Sequence, residues 1–326
     1  LANIVDPFNP VIPETDLSLL TRTRKFDKTV SSDTIGFYGQ DIIELTEQWK
    51  VRGGIRYDNV WFSDDGFSNY PASASPYSYR LLDFEKGLWS WQTGVVYQPV
   101  AWMSFYGGAS EGKFINIQTE SVNLTETPEE SFQLETGIKA DWWDGKLSTG
   151  AALYQTSRDN YFITPFGGGD SVPDGRQETT GVELDIVGNP FPGFTAAANL
   201  AVLDAEFTGD QLSGTTNVKG KNPQGVPERQ ASVWLQYEFQ DPRLKGLGFG
   251  IGTTYQGSLF ADALNANKVP GDWVGDLAIF YKLDHYKEFR LSVKNFTDEE
   301  YFTNATFSGA LPGEPLNVNF SYKARF

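Results

Sequence analysis

The stretch DDGFSNYPASASPYSYR, residues 64–80, gathers Phe67, Tyr70, Tyr77, Tyr79 and Arg80 in one segment rich in Ser and Pro. Rings with a few polar groups beside them suit a planar catecholate or hydroxamate chelate, which offers flat faces and hydrogen-bonding edges. The plainer alternative is that these rings pack on one another. Little else in the chain is equipped for chemistry. Cys is absent and His occurs once, at His285. There is therefore no thiol nucleophile, and a Ser-His-Asp arrangement at His285 would lack neighbours in what reads as a short turn. The segment PFGGGDSVPDG, 165–175, carries Asp170 and Asp174. It lacks the Lys and the preceding buried parallel strand of a phosphate loop. A calcium site on its carboxylates competes with a plain loop, which the residues favour. The reading predicts no catalytic residue, no metal set and no cofactor.

Charge narrows the partners. The 326 residues carry a formal net charge of −16, which argues against nucleic acid, since that partner requires a basic footprint. An acidic surface also suits an anionic ligand poorly. Lys219, Lys221 and the cluster Arg22, Arg24, Lys25 and Lys28 offset it locally. No apolar run of about 18 residues exists, so no transmembrane helix is expected. The opening LANIVDPFNP has neither the basic start nor the apolar segment of a signal peptide.

The elements that position these residues alternate with period two, the strand signal. In SFQLETGIKA, Phe132, Leu134, Thr136, Ile138 and Ala140 face one way, and Gln133, Glu135, Gly137 and Lys139 the other. TGVELDIVG, QASVWLQYEF and LGFGIGTTYQ alternate likewise, whereas FYGQDIIEL breaks step near Asp41. About thirteen strands are predicted, near 34–46, 49–62, 87–98, 102–115, 129–141, 145–164, 176–188, 194–208, 226–240, 247–260, 270–284, 288–303 and 314–326. Most exceed the usual ~5–6 residues and suit tilted membrane crossings of ~9–11.

Short and long connections take turns. TEQ, PVA, WWDG, NPFPG, DPRLKG and DHYK are short; roughly 63–86, 116–128, 165–175, 209–225, 261–269 and 304–313 are long. Outer-membrane barrels have short periplasmic turns and long extracellular loops. The short turns also carry Trp49, Trp102, Trp142, Trp143, Phe191, Phe194, Phe239, Tyr286 and Phe289, as an interfacial aromatic girdle does. The last strand sets Val318, Phe320, Tyr322 and Phe326 against Asn317, Asn319, Ser321, Lys323 and Arg325, an apolar face for lipid and a polar face for a wet lumen. The fold class expected is all-β, a transmembrane antiparallel up-and-down β-barrel. Counting back through thirteen strands places residues 1–33 mainly in an extracellular loop. An odd count beginning outside suggests the C-terminal part of a longer protein, because single-chain bacterial barrels have even strand numbers.

Specific motifs, in order along nearly the whole chain, carry a resemblance. FYGQDIIELTEQWKVRGGIRYD (37–58) holds Arg56, Tyr57 and Asp58; TTGVELDIVGNPFPGF (179–194) holds Gly181 and Glu183; LSVKNFTDEEYF (291–302) holds Asn295, Asp298 and Tyr301, with Phe296 where the motif has Leu. WQTGVVYQPVAWMSFYGGASEGKF (91–114), the stretch 128–161 and the terminal NFSYKARF fit the same series. The chain resembles the C-terminal barrel portion of TonB-dependent outer-membrane receptors, of the ferric-siderophore branch (ferrichrome and pyoverdine types). The resemblance implies about the last thirteen strands of a plugged barrel of about 22, with the plug and early strands upstream of Leu1. It implies import of a ferric siderophore across the outer membrane of a Gram-negative bacterium. Energy would come from the TonB complex, engaged through the missing N-terminal region. Asn295, Asp298 and Tyr301 would order the turn into the following loop. Val318, Phe320, Tyr322 and Phe326 would be read by the barrel-assembly machinery, and membrane lipid and lipopolysaccharide would surround the wall. The transported ligand would be a ferric chelate, and no enzyme activity is implied. A passive porin-like channel, or an importer of cobalamin or a glycan, is the alternative. A soluble propeller would show repeats of ~40–50 residues, and none is found.

Overall fold

The computed structural model describes residues 25–69, 77–78, 82–115, 127–163, 172–210, 212–213, 216–306 and 309–325. Its principal strands are β1 (Lys25–Glu44), β2 (Trp49–Asn69), β3 (Leu82–Val100), β4 (Met103–Phe114), β5 (Glu129–Trp142), β6 (Leu147–Ile163), β7 (Val172–Gly188), β8 (Phe194–Phe207), β9 (Arg229–Glu238), β10 (Leu247–Gln256), β11 (Asp272–Lys282), β12 (Lys287–Lys294) and β13 (Asn317–Ala324). Each pairs antiparallel with the next in chain order, so the sheet is a pure meander with β1 and β13 at its two edges. The pair Tyr77–Ser78 adds to β2, and three long connections contain small hairpins of their own.

Cross-strand partners share a face, so the registers sort the side chains. One face carries Phe37, Ile55, Trp89, Phe105, Leu134, Leu153, Val182, Leu184, Ile186, Leu200, Leu235, Ile251, Ile279, Leu291 and Phe320, every one exposed. So much contiguous apolar surface is foreign to a soluble monomer and fits a lipid-facing band. Toward the long connections this same face turns polar. Asn59 donates to Glu85 (2.6 Å), Lys113 bridges Glu111 and Glu130 (3.0 Å each), and Gln155 donates to Glu178 (2.6 Å). At the opposite end the aromatic residues pair: Trp49 on Tyr97 at 4.4 Å, Trp102 on Trp142 at 5.1 Å, Phe191 on Phe194 at 4.5 Å and Phe289 on Tyr322 at 4.8 Å. The turns there are tight; in 143–146 Trp143, Asp144 and Gly145 all have positive φ.

Two expected boundaries are corrected. β1 begins at Lys25, so residues 25–33, assigned to an extracellular loop over 1–33, are strand and pair with 61–69 of β2. Residues 1–24 lie outside the described residues. Above the apolar band both faces of a strand are wet, and the alternation that reveals a strand disappears there. The strand expected at 288–303 is two elements. β12 stops at Lys294, and Phe302–Thr306 pairs with Gly309–Pro312 in a separate hairpin. Asn295, at φ 47°, ends β12 by turning the chain.

Candidate functional site

The inner face of the sheet is a polar wall, and its charge centres on β4–β7. The Tyr106 hydroxyl donates to Glu135 Oε1 at 2.7 Å, and Gln133 Nε2 donates to Glu135 Oε2 at 2.9 Å. The Tyr154 hydroxyl lies near Glu183. Lys139 lies over the Tyr106 ring, its Nζ 5.4 Å from the centroid. Asp185 stands two residues beyond Glu183 on this face. Glu135 is thus held by a phenol and Glu183 has one nearby, and no salt bridge to either occurs among the described residues. The rings reach these positions because glycine lies beneath them. A Cβ on Gly137 would come within 2.7 Å of the Tyr106 ring, and one on Gly181 within 2.5 Å of the Tyr154 ring. Gly181→Ala therefore has to displace the Tyr154 ring. We expect a loss of ~1–3 kcal/mol, read as a lower unfolding midpoint in detergent; an unchanged midpoint would contradict this packing.

The three-residue motif at 56–58 is split across the wall. Arg56 and Asp58 point inward and form a two-bond ion pair, both contacts at 2.6 Å. Tyr57 points outward against Trp89, with centroids 4.8 Å apart. Nearby Arg52 donates to Gln92 at 3.0 Å.

At the long-connection end of β12, Asn295 is buried and spends its whole amide. Its Nδ2 donates to the carbonyls of Glu299 (2.9 Å) and Glu314 (3.1 Å), and its Oδ1 accepts from the Glu299 N–H (2.9 Å). Its own N–H donates to Asp276 at 3.0 Å. Asp298 Oδ1 accepts from the Leu316 N–H at 3.2 Å, and the Tyr301 hydroxyl accepts from the Glu314 N–H at 3.2 Å. The three motif residues therefore tie the exit of β12 to the entry of β13. Neighbouring connections are joined as well. Asn222 N–H donates to Asn265 Oδ1 and Asn265 Nδ2 to the Asn222 carbonyl, both at 2.9 Å, and Lys221 Nζ reaches the Leu264 carbonyl at 2.9 Å. Burial alone would raise the Asp262 carboxyl, but bonds from Ala266, Asn267 and Leu264 outweigh it and hold it below the ordinary carboxylate value.

The predicted ligand residues are only partly placed. Phe67 lies in β2 with its backbone opposite Ser78, and Tyr77 is opposite Ser68. Tyr70, Tyr79 and Arg80 lie outside the described residues. Val318, Phe320 and Tyr322 stand exposed on the outer face, and Phe326 lies outside the described residues. His285 is an exposed turn residue; Asp174 is exposed and Asp170 lies outside the described residues. The Tyr106 and Tyr154 neighbours of Glu135 and Glu183 went unpredicted. Their signal is a tyrosine facing glycine across a strand pair, visible only once the register is known.

Comparison with known proteins settles the family. Residues 2–296 match the family model described as TonB dependent receptor-like, beta-barrel. The chain belongs to this TonB-dependent receptor family. It is 25% identical to the probable TonB-dependent receptor BfrD of Bordetella pertussis, over 94% of this chain and 43% of that protein. It is 30% identical to the ferrichrome outer membrane transporter/phage receptor of Escherichia coli K12, over 82% of this chain and 34% of that protein. In fold it matches the siderophore receptor PiuA of Acinetobacter baumannii with a TM-score of 0.78 at 24% identity, covering 92% of this chain and 44% of that one. The chain thus spans less than half the length of these relatives. As a TonB-dependent receptor barrel it is a protein of the Gram-negative outer membrane, which accounts for the outward apolar band.

Proposed function

We propose that this chain is the C-terminal wall of an outer-membrane importer of a ferric siderophore, energised through TonB. One observation carries the reading: a sheet apolar outside and polar inside, with both edges unpaired among the described residues. Unpaired strand edges are costly in hydrocarbon, so further strands complete the barrel around a lumen. Glu135 and Glu183 face that lumen without salt-bridge partners among the described residues. A plug domain filling the lumen supplies the cations. The relatives' names, which include siderophore receptors and a ferrichrome transporter, support a ferric chelate as cargo. Phe67, Tyr70, Tyr77, Tyr79 and Arg80 would contribute to its capture. The outer-face stripe ending in Phe326 would be read during barrel assembly, within lipid and lipopolysaccharide. The chemistry is transport, not catalysis.

The test is uptake of radioactive iron by cells carrying the intact protein as their sole receptor, offered in turn as a catecholate and a hydroxamate complex. Uptake of one complex is expected, falling to background when TonB is deleted. Uptake indifferent to TonB would favour a passive channel. No iron uptake, with cobalamin or a glycan taken up instead, would reassign the cargo.

A further inference from the structure

Between the upper ends of β10, β11 and β12 and the connection 295–316 lies a cavity of about 280 Å³, lined by Thr254, Gln256, Asp272, Lys294, Tyr301 and Glu314 among others. It opens from the lumenal face, since Thr254, Gln256, Asp272 and Lys294 all share that face. Its side-chain nitrogen donors are already engaged. Lys294 Nζ donates to Asp276 at 2.8 Å. Gln256 Nε2 is turned to the carbonyls of Phe302 (3.3 Å) and Thr303 (3.5 Å), which leaves its Oε1 as an unused acceptor. The Asn295 amide is consumed by backbone. Among the described residues Asp272 has no salt-bridge partner, and its charged neighbour is another carboxylate, Glu299. What the cavity offers is the half-buried Asp272 carboxylate, beside an Asp276 already paired with Lys294 and a Glu314 that accepts from Asn317, together with an amide oxygen, hydroxyls and aromatic walls from Tyr301 and Phe302. A buried charge without a counter-charge is costly, and aromatic rings favour cations.

We propose that this cavity is a binding site for an alkylammonium group, with Asp272 as its counter-ion and Gln256 Oε1 as second acceptor. The carboxylates do not converge as a metal site would: among the described residues no group of three metal-ligating side chains occurs. An organic cation with several N–H donors satisfies the separated acceptors that a bare ion does not. The site lies apart from the predicted ligand residues of 64–80 and uses none of them. The ammonium belongs either to a side arm of the transported cargo or to a free amine.

The test is calorimetric titration of the intact protein in detergent with pentylamine and with 1-pentanol, its uncharged analogue. Saturable binding of the amine and none of the alcohol is expected. Asp272→Asn should weaken the amine at least tenfold. Lys294→Met, which frees Asp276, should tighten it about threefold. These opposite shifts separate loss of the counter-ion from loss of the fold. Equal binding of amine and alcohol, no amine binding, or indifference to both substitutions would overturn the proposal. Iron is absent from the titration, so failure here leaves the import reading standing. Pentylamine inhibition of iron uptake in the parent but not in Asp272→Asn would place the ammonium on the cargo; binding without inhibition would point to a free amine.

Discussion

Leu184→Arg should prevent the protein from reaching its folded, membrane-embedded form, while Asp185→Arg, one residue along, should leave it intact. Leu184 sits between Val182 and Ile186 on the outer face of β7, opposite Ala151 and Leu200 across its neighbours. A cation there meets the middle of the apolar band and costs ~2–4 kcal/mol at the bilayer midplane, a large share of the ~5–15 kcal/mol that keeps a domain folded. Asp185 faces the lumen beside Gly150 and Asn199, where water reaches both charges, and the exchange should cost under about 1 kcal/mol. The readout is the fraction of protein in the outer membrane that migrates as folded barrel on an unheated gel. Equal tolerance of both substitutions would remove the distinction between the faces.

Asn295→Ala is expected to cost about 3 kcal/mol, a second large effect with a different origin. The substitution strands the Glu299 N–H and the Glu299 and Glu314 carbonyls. A buried polar group left without its partner costs ~1–3 kcal/mol, and water admitted to the gap recovers part of that. Alanine must also hold φ 47°, which costs ~1–2 kcal/mol that asparagine largely avoids. Asn295→Gly removes the second cost and keeps the first, so it should recover only about 1 kcal/mol. Asn295→Asp keeps the acceptor for Glu299 but sets a buried carboxylate against both carbonyls and near Asp276, and should be no milder than alanine. Hydrogen exchange of the amides of Glu299, Glu314 and Leu316 reports this directly, because each is held by Asn295, Asp298 or Tyr301. If alanine leaves their exchange unchanged, the residue does not hold β12 to β13.

Most of the wall was legible in the sequence, because one face of each strand meets hydrocarbon and the other meets water. Leu134 against Glu135 and Leu184 against Asp185 show the contrast in adjacent residues, and the order of short and long connections follows from the same crossings. Legibility failed where the contrast fails. Residues 25–33 and 63–69 are strand above the band, where Ser31, Ser32, Asp33 and Ser63 are exposed on either face. At 295–303 the motif read as one continuing strand is a turn, because asparagine tolerates a positive φ that alternation does not reveal. Of the candidate site, Glu183 was legible as a motif residue; Tyr106 and Tyr154 were not, since Tyr106–Gly137 and Tyr154–Gly181 are neighbours only in the folded register. The cavity beneath 295–316 was equally hidden: residues from 254 to 314 meet there through three strands and two connections.

The central claim is orientation: long connections outside the cell, short turns in the periplasm, and the wall between them in lipid. These 326 residues contain no cysteine, so a thiol introduced here is the only one in this part of the wall. Ala266, in the connection between β10 and β11, and His285, in the turn between β11 and β12, are both exposed. Living cells bearing Ala266→Cys or His285→Cys would be treated with a membrane-impermeant maleimide. The account predicts that Ala266→Cys is labelled in intact cells and that His285→Cys is labelled only after the outer membrane is permeabilised. Labelling of His285→Cys in intact cells, with Ala266→Cys protected, would contradict it.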